Sequence, residues 1–416
     1  MKIGIEQLHV YPCSLAVDMR ELAEHRGANA DEICGDMMIS QRSFNPPWED
    51  PVTTAVNAAN ALLNDDDRRA IKLLLVGSES GPDQEKALST WVQRYVGLGD
   101  DCRNLEIKHA CYAGTGAVVL AANWLAMQPE GTKALVITTD QSREHFGKPY
   151  EFVMGAGAVA ILLSKTPDFL ALELDKSGFY THEVADLTRP TSRVEAGHSE
   201  TSLLSYLDAV DITFERYCAA AKTTPTTGDE LRALVPFQIY HAPFGGITRR
   251  AHRAIWRTLD DFSATHCNED FNQRVAPTLA HNRRMGGTYA SSIFVSMLGC
   301  VDAFGANVVG QRLGVYSYGS GSSAEFFSGV FGKRAVDVAH AAGLAAGLDA
   351  RLDLGVHGYE AAERFRTQTI DQGDYTVPRD GFGDLFATTY AAQRRLVFTG
   401  MREFERQYAW SNGDAA

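Results

Sequence analysis

Residues 106–117 read Glu-Ile-Lys-His-Ala-Cys-Tyr-Ala-Gly-Thr-Gly-Ala and set Cys111 where one local pattern gives way to another. Upstream, residues 105–110 alternate like a short buried strand; downstream, residues 111–127 are small and apolar enough for a buried helix. A cysteine on the first turn of such a helix faces orphan backbone N–H groups and the positive end of the helix dipole. Both favour the thiolate, which is the nucleophilic form. Ala113, Gly114 and Gly116 leave room for a carbonyl to approach the backbone. The stretch predicts an α/β protein with an acyl-accepting thiol at a strand-to-helix turn.

Working outward, short β-rich segments alternate with longer amphipathic or small-residue ones. Strands are expected at 71–76, 134–139, 158–163, 237–240 and 313–317, and helices at 53–63, 84–96, 202–221, 247–259 and 287–304. That alternation predicts sheets covered by helices. Residues 187–202 and 223–229, rich in Pro, Ser, Thr and charge, read as loops. Residues 333–380 carry fewer signals. The chain has 416 residues, long enough for two layered units or one duplicated fold, with halves meeting near residue 168.

Composition narrows the function classes. A net charge of −13, from 39 basic and 52 acidic residues, argues against general binding to nucleic acid or an anionic membrane. The N-terminus lacks the apolar core of a secretory signal, and no apolar run is expected to span a bilayer. Cys13, Cys34, Cys102, Cys111, Cys218, Cys267 and Cys300 are odd in number and form no CxxC pair, so neither a disulfide framework nor a structural metal site is expected. A reducing cytoplasm is the natural compartment, and Cys111 alone lies in an activating context.

Three further features stand at the ends of expected strands, where α/β enzymes build their sites. In Gly77-Ser78-Glu79-Ser80-Gly81-Pro82-Asp83, Glu79 reads either as a solvated turn acid or as a general acid/base. In Tyr240-His241-Ala242-Pro243-Phe244-Gly245-Gly246, His241 reads either as a satisfied structural residue or as a donor to a thioester carbonyl or developing oxyanion. Beyond it, Arg249, Arg250, His252 and Arg253 form a basic cluster unusual in so acidic a chain. They read either as a solvated helix face or as a grip on the phosphate of a carrier arm. In Tyr316-Ser317-Tyr318-Gly319-Ser320-Gly321-Ser322-Ser323, the N–H groups and hydroxyls can hold a thioester or pantetheine; Tyr318, Gly319 and Ser320 are the candidates. No P-loop lysine and no Rossmann spacing accompany that turn. Gly155-Ala156-Gly157-Ala158 reads as a tight strand entry.

Taken in order, these segments resemble the 3-hydroxy-3-methylglutaryl-CoA synthase family of thiolase-like condensing enzymes. The resemblance rests on Trp48-Glu49-Asp50-Pro51, Ser-Glu-Ser-Gly around Glu79, Ala-Cys-Tyr-Ala-Gly-Thr around Cys111, Gly-Ala-Gly-Ala-Val-Ala from 155, Ser-Tyr-Leu-Asp from 205, His-Ala-Pro-Phe from 241 and Ser-Tyr-Gly-Ser-Gly from 317. It implies an α/β thiolase-like fold of two similar halves in α-β-α-β-α layers, here 1–167 and 168–416, usually dimeric. It implies a triad of Cys111 as acetyl acceptor, Glu79 as the base that removes a methyl proton, and His241 as the group that polarises the acceptor ketone. No metal and no resident cofactor are implied, because the phosphopantetheine thioester arrives as substrate on a carrier protein or on CoA.

The departures from the family pattern sharpen the expectation. Where the mevalonate enzymes usually carry lysines after His-x-Pro-Phe, this chain has Gly-Gly-Ile-Thr-Arg-Arg-Ala-His-Arg, which is closer to the subgroup that installs β-branches on polyketides. An Arg cluster suits the acidic face of an acyl carrier protein. The family's Gly-Asn aligns with Gly286-Gly287, so an amide donor to the acyl carbonyl is missing at Gly287. The family's assisting tyrosine falls on Phe146 or is displaced. The leading expectation is a β-branching synthase working between acyl carrier proteins. The alternatives are a mevalonate-pathway synthase using acetyl-CoA and acetoacetyl-CoA, a ketoacyl synthase, and a decayed homologue kept as a binding or scaffold subunit.

Overall fold

Two-residue alternation within single strands explains the layering. The computed structural model describes residues 2–380 and 382–413. Its first half contains β1 (Gly4–Tyr11), α1 (Pro51–Leu62), β2 (Ile71–Gly77), α2 (Leu88–Val96), β3 (Arg103–Ile107), α3 (Ala113–Ala126), β4 (Lys133–Asp140) and β5 (Gly157–Ser164). The second contains β6 (Leu170–Thr181), α4 (Ser199–Ala221), β7 (Phe237–Tyr240), α5 (Gly245–Trp256), α6 (Ser292–Phe304), β8 (Arg312–Gly319) and β9 (Ser323–Phe331). Leu74 and Val76 of β2 join an outer core with Val52 and Val56 of α1 and Val92 of α2. Their neighbours Leu73 and Leu75 face the other way, into a core built on Ala121 and Leu125 of α3 and Phe294 and Leu298 of α6. That same middle core receives Leu313 and Val315 of β8, while Tyr316 and Tyr318 face a third core with α4 and α5. Helix, sheet, helix, sheet, helix is the resulting order, because each strand presents opposite faces at alternate residues.

The strands run β7-β8-β9-β6-β1-β5-β4-β2-β3 across one nine-stranded ladder among the described residues. The halves join where Gly4 and Ile5 of β1 pair with Ala171 and Leu170 of β6. Within each half the pairing repeats. β2 is parallel to β4, β4 antiparallel to β5, and β5 antiparallel to β1. Likewise β7 is parallel to β8, β8 antiparallel to β9, and β9 antiparallel to β6. The ends of β2 and β7 are therefore corresponding places in a duplicated unit, and Glu79 and His241 follow those two ends.

The sequence expectations miss β1 and β6, the strands that join the halves, and also β9, and they start α6 five residues early. They also exclude any apolar run long enough to span a bilayer, yet Tyr289–Val308 passes that test by length and composition. Its apolarity has another cause: 67% of that window is buried inside the protein, where α6 lies between the two sheets. Residues 333–380, weak in sequence signals, contain α7 (Gly355–Thr369), whose Val356 and Tyr359 pack on the outer core of the first half. The Trp48-Glu49-Asp50-Pro51 motif opens α1: Asp50 accepts from Thr53 N at 2.9 Å, and Pro51 takes the first helical position.

Candidate active site

Cys111 lies in a tight turn between β3 and α3. Ala110 has φ +42°, and Tyr112 N and Ala113 N donate to His109 O and Ala110 O at 3.1 and 3.2 Å. The helix begins at Ala113, so Cys111 stands just ahead of the first turn rather than on it. Gly319, at the end of β8, meets this turn from the other half. A Cβ at Gly319 would sit 2.5 Å from Tyr112 N and 2.6 Å from His109 O, so glycine is required for the two backbones to approach. Thr115 Oγ1 adds a hydrogen bond to Ser317 Oγ at 2.7 Å.

Glu79 occupies the turn after β2. Asp140, at the end of the neighbouring β4, holds that turn: its Oδ1 accepts from Glu79 N at 2.9 Å, Ser80 Oγ at 2.9 Å and Ser78 Oγ at 3.2 Å. Cys111 Sγ donates to Glu79 Oε2 at 3.5 Å. Arg189 Nη2 lies 3.6 Å from Glu79 Oε1 and 2.7 Å from Glu195 Oε2, and Arg189 Nη1 donates to the Glu79 carbonyl. Arg189 and Glu195 belong to residues 187–202, where the expected loop closes a small hairpin between Leu187–Thr188 and Ala196–Gly197.

These contacts reverse the electrostatic expectation for the nucleophile. Burial, then the charges of Glu79 and Asp140, push the Cys111 thiol well above its ordinary value. Carboxylates at close range outweigh a helix terminus that begins two residues further on. The resting group is the thiol, hydrogen-bonded to Glu79. Burial also raises Glu79 itself, opposed chiefly by the Arg189 charge. Burial and the Glu79 charge push Asp140 up to about 8.

A pH prediction follows from those signs. A base must be ionised, so activity falls as pH drops through the raised Glu79 value. Arg189→Gln removes the cation that opposes the rise, and the acid limb of the kcat–pH profile moves to higher pH. An acid limb unmoved by Arg189→Gln contradicts the assignment.

His241 is held through its backbone and one ring nitrogen. Its N–H donates to Tyr316 O at 2.7 Å, its carbonyl accepts from Tyr206 OH at 2.8 Å, and Nδ1 lies 2.7 Å from Ser292 Oγ. Burial lowers the imidazole to about 3, so the ring is neutral at physiological pH. Tyr206 comes from the Ser-Tyr-Leu-Asp motif, which is thereby accounted for as a support for His241.

Several expected substrate contacts are placed elsewhere. Tyr318 is buried, and its hydroxyl is shared between Asp186 Oδ2 at 3.0 Å and Ser205 Oγ at 2.9 Å, so it braces α4 instead of holding pantetheine. Ser320 remains half-buried beside Gly319. Gly287 N donates to Val153 O at 2.6 Å and its carbonyl accepts from Gly155 N at 2.9 Å, which leaves no free backbone group for a substrate. A Cβ there would lie 2.6 Å from Val153 O and 2.7 Å from Pro243 O. The missing asparagine therefore leaves no vacancy; backbone has closed on the position. The basic cluster also divides. Arg250 and Arg253 are exposed on α5, and Arg249 lies over the Phe271 ring at 5.0 Å. His252 instead is buried between Tyr240 OH at 3.0 Å and Asp270 at 3.1 Å.

Phe146 packs edge-on against Tyr359, with Arg26 over its ring, and offers no phenol to the site. Tyr289 is nearer in effect: burial, then the charges of Glu195 and Glu79, raise its phenol, and its backbone has φ +49°. Sequence reasoning missed Asp140, Arg189, Tyr289 and Ser292. Asp140 was readable as a carboxylate at the end of an expected strand. Arg189 lies in a segment that reads as loop, and Ser292 has no local signature.

Comparison with known proteins agrees with this architecture. A family model described as "Hydroxymethylglutaryl-coenzyme A synthase N terminal" matches residues 1–168, and one described as "Hydroxymethylglutaryl-coenzyme A synthase C terminal" matches residues 252–408. The polyketide biosynthesis 3-hydroxy-3-methylglutaryl-ACP synthase PksG of Bacillus subtilis is 33% identical over 98% of this chain and 99% of its own length. The hydroxymethylglutaryl-CoA synthase of Enterococcus faecalis is 31% identical over 89% of this chain and 94% of its own. Among solved structures, the HMG synthase of the curacin biosynthetic pathway, in complex with holo donor-ACP, superposes with a TM-score of 0.92 at 33% identity, covering 99% of this chain and 100% of that one. With both halves matched and the thiolase-like layering in place, the chain belongs to the hydroxymethylglutaryl-coenzyme A synthase family.

Proposed function

We propose that this enzyme adds an acetyl group, carried on Cys111, to the β-ketone of an acyl chain on an acyl carrier protein, the β-branching step of polyketide assembly. The contact that carries the reading is Cys111 Sγ on Glu79 Oε2 at 3.5 Å, which brings acyl acceptor and base together. Cys111 attacks the donor thioester, the carrier thiol departs with a proton, and acetyl-Cys111 forms. Glu79 then removes a methyl proton, and the resulting enolate carbon attacks the acceptor ketone. A neutral His241 donates to the oxygen that becomes the tertiary hydroxyl. Water hydrolyses the Cys111 thioester, releasing a carboxylate on the product and restoring the thiol.

The relatives that act in polyketide biosynthesis support the carrier-protein reading, as does the exposed Arg250 and Arg253 face on the helix that follows His241. A donor comparison tests it. Acetyl carrier protein is expected to load Cys111 faster than acetyl-CoA in a rapid-quench intact-mass assay. Faster loading by acetyl-CoA contradicts the reading and favours the mevalonate-type alternative.

Seven free cysteines support a reducing cytoplasm. The open edge of β3, with Leu105 53% exposed, supports pairing with a second copy. Light scattering is expected to give twice the 45.4 kDa chain mass, and a monomer contradicts the dimer.

A further inference from the structure

His241 can help a ketone oxygen only through a nitrogen that carries hydrogen and is free to point at substrate. The two ring nitrogens differ. Nε2 has no hydrogen-bond partner among the described residues, while Nδ1 lies 2.7 Å from Ser292 Oγ. Ser292 opens α6 in the middle layer and is fully buried. Its backbone is fixed in turn: the carbonyl accepts from Asn282 Nδ2 at 3.0 Å and from Ser296 Oγ at 3.1 Å.

A second hydrogen bond at the same oxygen decides which way the first one runs. Ala242 N donates to Ser292 Oγ at 3.4 Å. A backbone N–H can only donate, so the serine oxygen accepts there. A hydroxyl owns a single hydrogen, and the remaining partner at hydrogen-bond distance is His241 Nδ1. With Nδ1 as acceptor, both groups are satisfied. With Nδ1–H as donor, the buried hydroxyl hydrogen would have no acceptor, an arrangement that buried polar groups avoid.

We propose that Ser292 is a positioning residue that holds His241 as the Nε2–H tautomer, so that the unengaged nitrogen is the hydrogen-bearing one offered to the acceptor carbonyl. The inference rests on the reading of His241 as donor to the β-ketone. It is independent of that reading in what it says about the ring. The low imidazole value agrees with it, since a neutral ring has a tautomer to fix. The arrangement parallels the way a partner on one ring nitrogen fixes the role of the other in catalytic and metal-bound histidines.

The test is nitrogen NMR of protein labelled with ¹⁵N-histidine, with His241→Gln identifying the His241 signals, run beside single-turnover condensation of acetyl-enzyme with a β-ketoacyl carrier protein. The wild type and Ser292→Thr, which keeps the hydroxyl, are expected to show a pyridine-like Nδ1 and a protonated Nε2. Ser292→Ala is expected to lose that bias and to condense about 10- to 100-fold more slowly, in line with the loss of partners that orient a reactive group. Its rate of acetyl loading and its KM for the acceptor stay near wild type, which a general packing defect would not spare. A wild-type ring protonated at Nδ1, or a tautomer unmoved by Ser292→Ala, overturns the proposal. A tautomer that shifts without any loss of condensation upholds the hold of Ser292 on the ring and overturns the donor role of His241 instead.

Discussion

Cys111→Ala will fold and will take up no acetyl group from any donor. The substitution removes only a sulfur at a half-buried turn whose backbone geometry is set by Ala110 and Gly319. No other cysteine can substitute. Burial raises Cys13, Cys34, Cys102, Cys218, Cys267 and Cys300, and none of them contacts Glu79. Acylation requires a sulfur nucleophile in contact with the thioester and beside the base, so loss of Cys111 ends covalent capture. Intact-mass analysis after incubation with acetyl donors checks this. An acetyl increment on the variant would place the acceptor elsewhere.

Glu79→Gln separates the two halves of the reaction. The amide fills the same space and can still meet the Cys111 sulfur, so acetyl-enzyme forms. It cannot accept a methyl proton, and carbon–carbon bond formation falls by roughly 10²- to 10⁴-fold, the usual worth of a general base. That loss corresponds to about 3–5 kcal/mol of barrier. Single-turnover transfer from acetyl-Cys111 to a β-ketoacyl carrier measures it. Normal condensation by this variant would move proton abstraction to another group, and Asp140, whose carboxyl accepts from Glu79 N, is the next to substitute.

The reversed electrostatics at Cys111 give these two variants a shared logic. The resting thiol is held protonated by its neighbours, and the Glu79 charge that disfavours the thiolate is the same charge needed to make the carbon nucleophile. Arg189 moderates the conflict by opposing the rise that burial imposes on the Glu79 carboxyl. Arg189 is therefore part of the base's setting rather than decoration on a loop, while the charge of Glu195, its ion-pair partner, pushes Glu79 the other way.

The sequence made the chemical centre legible because its parts are local. Cys111, Glu79 and His241 each lie at the end of a strand whose apolar pattern is readable, and β7 is predicted to the residue. The fold-level duplication was expected from the resemblance, and the repeated strand pairing then explains why Glu79 and His241 come from corresponding positions. What escaped is long-range. Arg189 reaches Glu79 across 110 positions and Ser292 reaches His241 across 51, and no periodicity encodes such pairs. The serine- and glycine-rich neighbours of Tyr318 resemble a binding turn and point it to substrate. In a strand, though, adjacent side chains face opposite ways, and Tyr318 falls on the side of the α4 core. The pKa direction at Cys111 was missed for the same reason. The helix end is visible in sequence, while the two carboxylates that overrule it are brought in from the ends of β2 and β4.

The most direct test of the account is to isolate acetyl-loaded enzyme, mix it with a β-ketoacyl carrier protein, and weigh both proteins through a single turnover. The predicted result is an acceptor that gains the mass of one acetic acid, the sum of the transferred acetyl group and the water of hydrolysis, while Cys111 returns to the free thiol. An acceptor of unchanged mass, with the acetyl group merely lost from Cys111 to water, would contradict it.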